Sequence, residues 1–284
     1  MSYRSRIFVR LVAAPVLAIF VYFVIIFLAA ETAFSMYGDN YLQHEGLISL
    51  VQGIVGIAVF TVWLVIKKKM IFPSPTWTVG KPYDWYMAIV GGGAMLGIAT
   101  LYFMILPNLG ISAISKALEE YDAMMDLQTA SQADLYMYVF ALCILIPILE
   151  EIIFRGCVME GMLELGHPYV AIVLSALYFG LMHGQIIQIC YAFLSGIVLG
   201  IIYYSTKNIV MTILAHSVFN FFGYGMYVFF EVSERADTVL MFLEFLCIPI
   251  FGVIAFLMLR LRPDRFPEKE ETGDINKMLP GRHT

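Results

Sequence analysis

Eight apolar stretches recur along this chain of 284 residues, near residues 8–30, 47–66, 84–106, 135–164, 168–184, 188–205, 209–230 and 238–260. As helices they can cross a hydrocarbon layer of ~30 Å, the fifth and sixth only marginally. None alternates as a barrel strand would. A backbone in lipid must satisfy its own hydrogen bonds, so helices remain. Composition agrees, since 61% of residues are hydrophobic and 14% charged, far from the balance of a water-soluble domain. The expected fold is all-α, a polytopic membrane protein of about eight transmembrane helices surrounded by membrane lipids.

The cations are unevenly placed. If eight spans are right, Arg4, Arg6, Arg10, Lys67, Lys68, Lys69, Lys81, Lys207, Arg260, Arg262, Arg265, Lys269, Lys277 and Arg282 share one side. The other side holds Lys116 and Arg235 among many acids, Glu45 included. The positive-inside rule then puts both termini in the cytoplasm. The run from Leu11 to Ala30 follows arginines as a signal-peptide core does, but its length of about 20 residues marks a retained first helix. Between the third and fourth runs, Ile111, Ile114, Leu118, Tyr121 and Met125 lie opposite Lys116, Glu119, Glu120 and Asp122. That pattern predicts an amphipathic helix on the outer interface or capping the bundle. Three parts follow: residues 1–130, N-terminal spans plus this helix; 131–262, the core that carries the chemistry; and 263–284, a charged, mobile cytoplasmic tail.

The net charge of −5 and the lack of a basic face exclude nucleic acid as an expected partner. Cys143, Cys157, Cys190 and Cys247 lie in or beside apolar runs without a C-x-x-C pair, and are expected to be buried reduced thiols. The Gly91-Gly92-Gly93 run predicts a closely packed or deformable helix.

Ionisable residues inside apolar runs are costly unless paired, and so point to function. Glu150 and Glu151 precede Arg155 in the fourth run. Glu151 and Arg155 are i,i+4 partners. Glu150 points about 100° away, left to desolvation and a like charge, which suits a carboxyl that takes up protons as a general base. A purely structural ion-pair network reads the motif equally simply. His183 ends the fifth run, where a lone histidine is often a satisfied core residue. His216 and Asn220, four apart on one helix face, could form an oxyanion site or hydrogen-bond neighbouring helices. Gly196 and Gly200 make a G-x-x-x-G packing stripe. Glu150 and His183 each lie about 16 residues from the turn near Gly166, His167 and Pro168, so both stand roughly 24 Å from it and can face each other. With that turn in the cytoplasm, the site is expected to open to the cytoplasmic half of the membrane.

Together, E-E-x-x-x-R (Glu150, Glu151, Arg155), F-x-x-x-H (Phe179, His183) and H-x-x-x-N (His216, Asn220) resemble the CAAX protease and bacteriocin-processing family of intramembrane glutamic endopeptidases. The stretch from Phe193 to Gly200 has small residues where that family has them. The resemblance covers roughly residues 135–225. It implies an endopeptidase cutting a membrane-associated protein or peptide: Glu150 activates water with help from His183, His216 and Asn220 stabilise the oxyanion, and Glu151 and Arg155 hold the site. Two histidines with carboxylates are also a zinc-compatible set, but without H-E-x-x-H no metal or other cofactor is expected. Short loops and compact size suggest a multi-pass protein of a bacterial plasma membrane, where a prenylated substrate is not expected. The competing readings are a non-catalytic membrane scaffold or bacteriocin-immunity or signalling factor, and a proton-coupled permease with Glu150 and His183 as relay. Nothing in the sequence fixes the oligomeric state.

Overall fold

The computed structural model describes residues 3–68, 81–125, 129 and 131–261, and among these there is no strand. The expected mobile tail, 263–284, lies outside the described residues. Nine helices carry the architecture: α1 Ala14–Tyr37, α2 Glu45–Lys68, α3 Pro82–Ile105, α4 Ser112–Met125, α5 Gln132–Leu163, α6 Pro168–Met182, α7 Ile186–Thr206, α8 Ile209–Phe229 and α9 Glu234–Leu261. The all-α membrane fold is as expected. Six stretches are long and apolar enough to cross a membrane, the first of them, Tyr3–Ile66, holding both α1 and α2 across a 3₁₀ corner at Gly38–His44. The expected fifth span falls short. Helix α6 has 15 residues, a rise of about 22 Å against a layer of ~30 Å. It stops at His183, where Gly184 at φ +74° turns the chain into α7. Non-helical backbone at such depth is tolerated where protein or a cavity surrounds it.

Glycines set the packing. On α3 the three consecutive glycines touch three different neighbours. A Cβ on Gly91 would meet Ile202 of α7 at 2.6 Å, one on Gly92 the Ala215 carbonyl of α8 at 2.8 Å, and one on Gly93 the Cys247 sulfur of α9 at 2.7 Å. On α2, Gly46, Gly53 and Gly56 abut Asp134, Leu145 and Leu149 of α5, in that order. The two helices therefore run parallel. Asp134 joins them by accepting hydrogen bonds from the Gly46 and Leu47 N–H groups at 3.1 and 3.3 Å, a negative charge at the positive end of the α2 dipole.

Arg10 pairs with Glu164 at the α5–α6 turn. Lys81, Lys207 and Arg260 begin or end α3, α7 and α9 at the same end of the bundle. The charge asymmetry read from the sequence is thus a difference between the two ends. Helix α4 lies at the other end, its Tyr121 buried and hydrogen-bonded to Tyr191 of α7 at 3.1 Å. Of its two expected positions, that is the cap. The four cysteines form no disulfide, but Cys190 is exposed and Cys247 half-buried rather than both being core residues.

Candidate functional site

Helix α5 departs from regular α geometry at two places, and both serve the polar residues. Residues Ala141–Leu145 form a π turn, so the Ile146 N–H reaches back to the Ala141 carbonyl instead of Leu142. The next residue is Pro147, which has no N–H to offer. The Leu142 carbonyl thereby loses its usual helical donors. It accepts from Asn220 Nδ2 of α8 at 2.7 Å instead. Single-turn π segments of this kind are common at functional sites. A second one, Ile152–Met159, carries Arg155.

Glu151 and Arg155 are both fully buried, with Arg155 Nη1 donating to Glu151 Oε1 at 2.9 Å. Arg155 Nη2 donates to the Gly196 carbonyl of α7 at 3.0 Å, and its guanidinium lies 5.2 Å from the centroid of the Phe179 ring. A Cβ on Gly196 would meet Ala176 and Phe179 at 3.0 to 3.1 Å, and one on Gly200 would meet Ile172 at 3.0 Å. Bare glycines therefore let α6 and α7 close enough for Arg155 to reach a main-chain oxygen. Phe179 does more than pack helices: its ring stands edge-on to His183 at 5.0 Å, His216 at 5.7 Å and Phe154 at 5.2 Å.

His216 sits between the two carboxylates. Its Nδ1 is 3.1 Å from Glu151 Oε1, and its Nε2 is 3.7 Å from Glu150 Oε2. Glu151 thus holds His216 as well as Arg155, a link the helix-face reading does not contain. His183 Nδ1 lies 2.9 Å from the Phe179 carbonyl. A carbonyl can only accept, so Nδ1 carries the hydrogen and Nε2 of a neutral ring is left as an acceptor. Asn220 keeps one N–H beyond the one given to Leu142.

Glu150, His183, His216 and Asn220 line one cavity of about 700 Å³. Glu150 and His216 are buried at its floor. From there the lining climbs through Ile146, Leu142 and Tyr138 of α5 to Tyr121 and Met125 of α4. No lining residue comes from α5 beyond Glu150, the first half of α6 or the last turn of α7. The ion pair and the Phe154–Phe179 contact close that direction. The cavity therefore extends away from the α5–α6 turn. This reverses the expectation that the site opens on the side of that turn, which the charge rule assigns to the cytoplasm.

Among the described residues, no group of three or more His, Cys, Asp or Glu side chains is placed to hold a metal ion. Ser195 and Tyr191 of the cavity lining went unnoticed in the sequence, and Glu45 was not connected with the site. Glu45 was legible only as a loop acid. Pro147, which frees the carbonyl for Asn220, was visible as a proline inside an apolar run.

Residues 132–222 match the family model of the type II CAAX prenyl endopeptidase Rce1-like proteins. No characterised protein and no solved structure matches the chain. The matched segment contains all four cavity residues named above, and the resemblance drawn from the three motifs is borne out there. Over residues 132–222 the chain is therefore similar to a family of CAAX-type endopeptidases.

Proposed function

We propose that this protein is an intramembrane protease that hydrolyses a peptide bond in a membrane-associated protein or peptide, using water activated by Glu150. The observation that carries the reading is the convergence of Glu150, His183, His216 and Asn220, from three helices, on one cavity floor. Water bound between Glu150 and His183 Nε2 gives up a proton to the Glu150 carboxylate as its oxygen attacks the scissile carbonyl. The oxyanion that forms accepts from the free N–H of Asn220 and from His216 Nε2. Because His216 Nδ1 donates to Glu151, donation from Nε2 as well requires the imidazolium form, which the two flanking carboxylates accommodate. The proton on Glu150 then passes to the leaving amine, so no covalent enzyme intermediate forms. A neutral catalytic cluster results: two carboxylates, one guanidinium and one imidazolium.

The test is direct. The purified full chain in liposomes, given peptides extracted from membranes, is expected to generate new peptide termini with time, read by mass spectrometry. A folded protein that generates none sinks the reading.

Two further outcomes follow from the geometry. Pro147→Ala returns an N–H to α5 that competes with Asn220 for the Leu142 carbonyl. Cleavage is expected to fall about tenfold, the value of roughly one hydrogen bond in a transition state. Thermal stability should hold or rise, because a proline inside a helix costs about 3 kcal/mol. Turnover and thermal unfolding in detergent separate the two effects; a stability loss with unchanged turnover would be the opposite result. Access is checked by labelling. In a Cys190→Ser background, a bulky maleimide on Met125→Cys is expected to cut turnover at least about tenfold, whereas the same label on His167→Cys, at the α5–α6 turn, leaves it intact. Equal inhibition from both would refute entry from the α4 end.

A further inference from the structure

The residues assigned to catalysis occupy only the floor of the cavity. Its far wall carries another carboxylate, Glu45, in the first turn of α2. The α2 glycines fix its height. Gly46 abuts Asp134, and Gly56 abuts Leu149, the neighbour of Glu150. Glu45 is therefore level with Asp134 while Glu150 stands 16 residues further along α5, about 24 Å at 1.5 Å per residue. The cavity is continuous between them, walled by Ser49 and Gln52 of α2 and Tyr138, Leu142 and Ile146 of α5. Its described lining includes no Lys or Arg. The charged neighbour of Glu45 among the described residues is Asp134, of like sign, and Asp134 is committed to backbone N–H groups.

A second observation points to a ligand in the same space. Ser195 of α7 is 4% exposed and lines the cavity, yet its hydroxyl has no hydrogen-bond partner. Its neighbour Gly196 receives Arg155, which sets Ser195 near the floor. A buried hydroxyl is costly when left unpaired, and an incoming peptide group supplies the partner.

We infer that the cavity takes its substrate as an extended peptide, with a Lys or Arg held by Glu45 while the scissile bond lies over Glu150 and Ser195 hydrogen-bonds the peptide backbone near the cut. This rests on the peptidase reading of the same site. An extended chain advances about 3.3–3.6 Å per residue, so 24 Å places the basic residue about seven positions from the cut. The two carboxylates at opposite ends of an aromatic channel whose described lining holds no Lys or Arg make it a ruler for such peptides.

The experiment gives the full chain a degenerate library of synthetic 16-residue peptides and sequences the products by mass spectrometry, with Glu150→Gln as the blank. Expected is at least fivefold enrichment of Lys and Arg at a position five to nine residues from the Glu150-dependent cut. Glu45→Gln removes that enrichment, Glu45→Asp keeps it, and Glu45→Lys replaces it with Asp and Glu. Ser195→Ala raises KM for the same peptides. Glu150-dependent cuts without basic enrichment at that distance, or enrichment unchanged in Glu45→Gln, overturn the inference and leave the peptidase reading standing. The absence of any Glu150-dependent cut overturns both.

Discussion

Glu150→Gln is expected to abolish peptide cleavage while leaving the bundle folded. The substitution keeps the shape of a side chain that is 4% exposed and removes only its capacity to take a proton. A positioned general base contributes about 10²–10⁴-fold, and here the same group also returns the proton to the leaving amine. The loss should therefore reach at least about 10³-fold. Glu150 makes no hydrogen bond to His216, whose Nε2 lies 3.7 Å away, so thermal unfolding of the carboxamide variant should change little. Glu150→Asp, which withdraws the carboxylate by one methylene from water and imidazole, should fall between, since small misplacements of reacting groups cost large factors. A Glu150→Gln protein that turns over at more than about a tenth of the wild-type rate would remove Glu150 from the chemistry.

Arg155→Ala is the second large effect, and it falls on stability. Arg155 is entirely buried and engages Glu151, the Gly196 carbonyl and the Phe179 ring at once. Truncating it strips the buried Glu151 carboxylate of its guanidinium and leaves only His216 against it, and breaking a buried ion pair costs about 3–5 kcal/mol. Unfolding in detergent should shift down accordingly, with loss of recoverable protein. The double variant Glu151→Gln with Arg155→Met removes both charges and fills the space, so it should recover most of the stability. It should remain inactive, because His216 then has lost the carboxylate that orients it. Activity in the double variant would mean that Glu151 and Arg155 serve the fold alone.

The class of fold was legible because lipid imposes a simple demand: long apolar runs must be helices. The clustering of Glu150, His183, His216 and Asn220 around one cavity was legible because charged residues inside such runs stand out and because the four have matching heights along their helices. Less was legible where main-chain geometry decides. The partner of Asn220 is a carbonyl freed by a π turn and a proline, and no pattern of side chains names it. The dual role of Glu151 needed α8 to be in place beside α5. The direction of the cavity was misread because the charge rule assigns sides to loops and says nothing about which way an internal space widens. Glu45 was counted with the loop acids because it opens a helix, yet the α2 glycines draw that helix so close to α5 that its first turn faces inward. The marginal length of α6 was noticed, but its ending at the site requires the glycine turn at 184 to be seen in three dimensions.

Two sets of glycine contacts group the helices, and Gly225 of α8, whose Cβ would meet Cys143 of α5 at 2.9 Å, joins one group to the other. Helices α3, α7, α8 and α9 interlock through Gly91, Gly92 and Gly93, while α2 and α5 interlock through Gly46, Gly53 and Gly56. Each set is close-packed and so moves as a body rather than bending. Glu150 and Glu151 ride on the second body, and His216, Asn220 and the Gly196 carbonyl ride on the first. Three of the hydrogen bonds that assemble the site, Asn220 to Leu142, His216 to Glu151 and Arg155 to Gly196, cross the seam between them. A displacement of about 1 Å along that seam is enough to cost on the order of 10² in rate. In the proposed mechanism the base and the oxyanion donors therefore stand on opposite sides of one seam, and a bound peptide that presses the two sides together would set the rate.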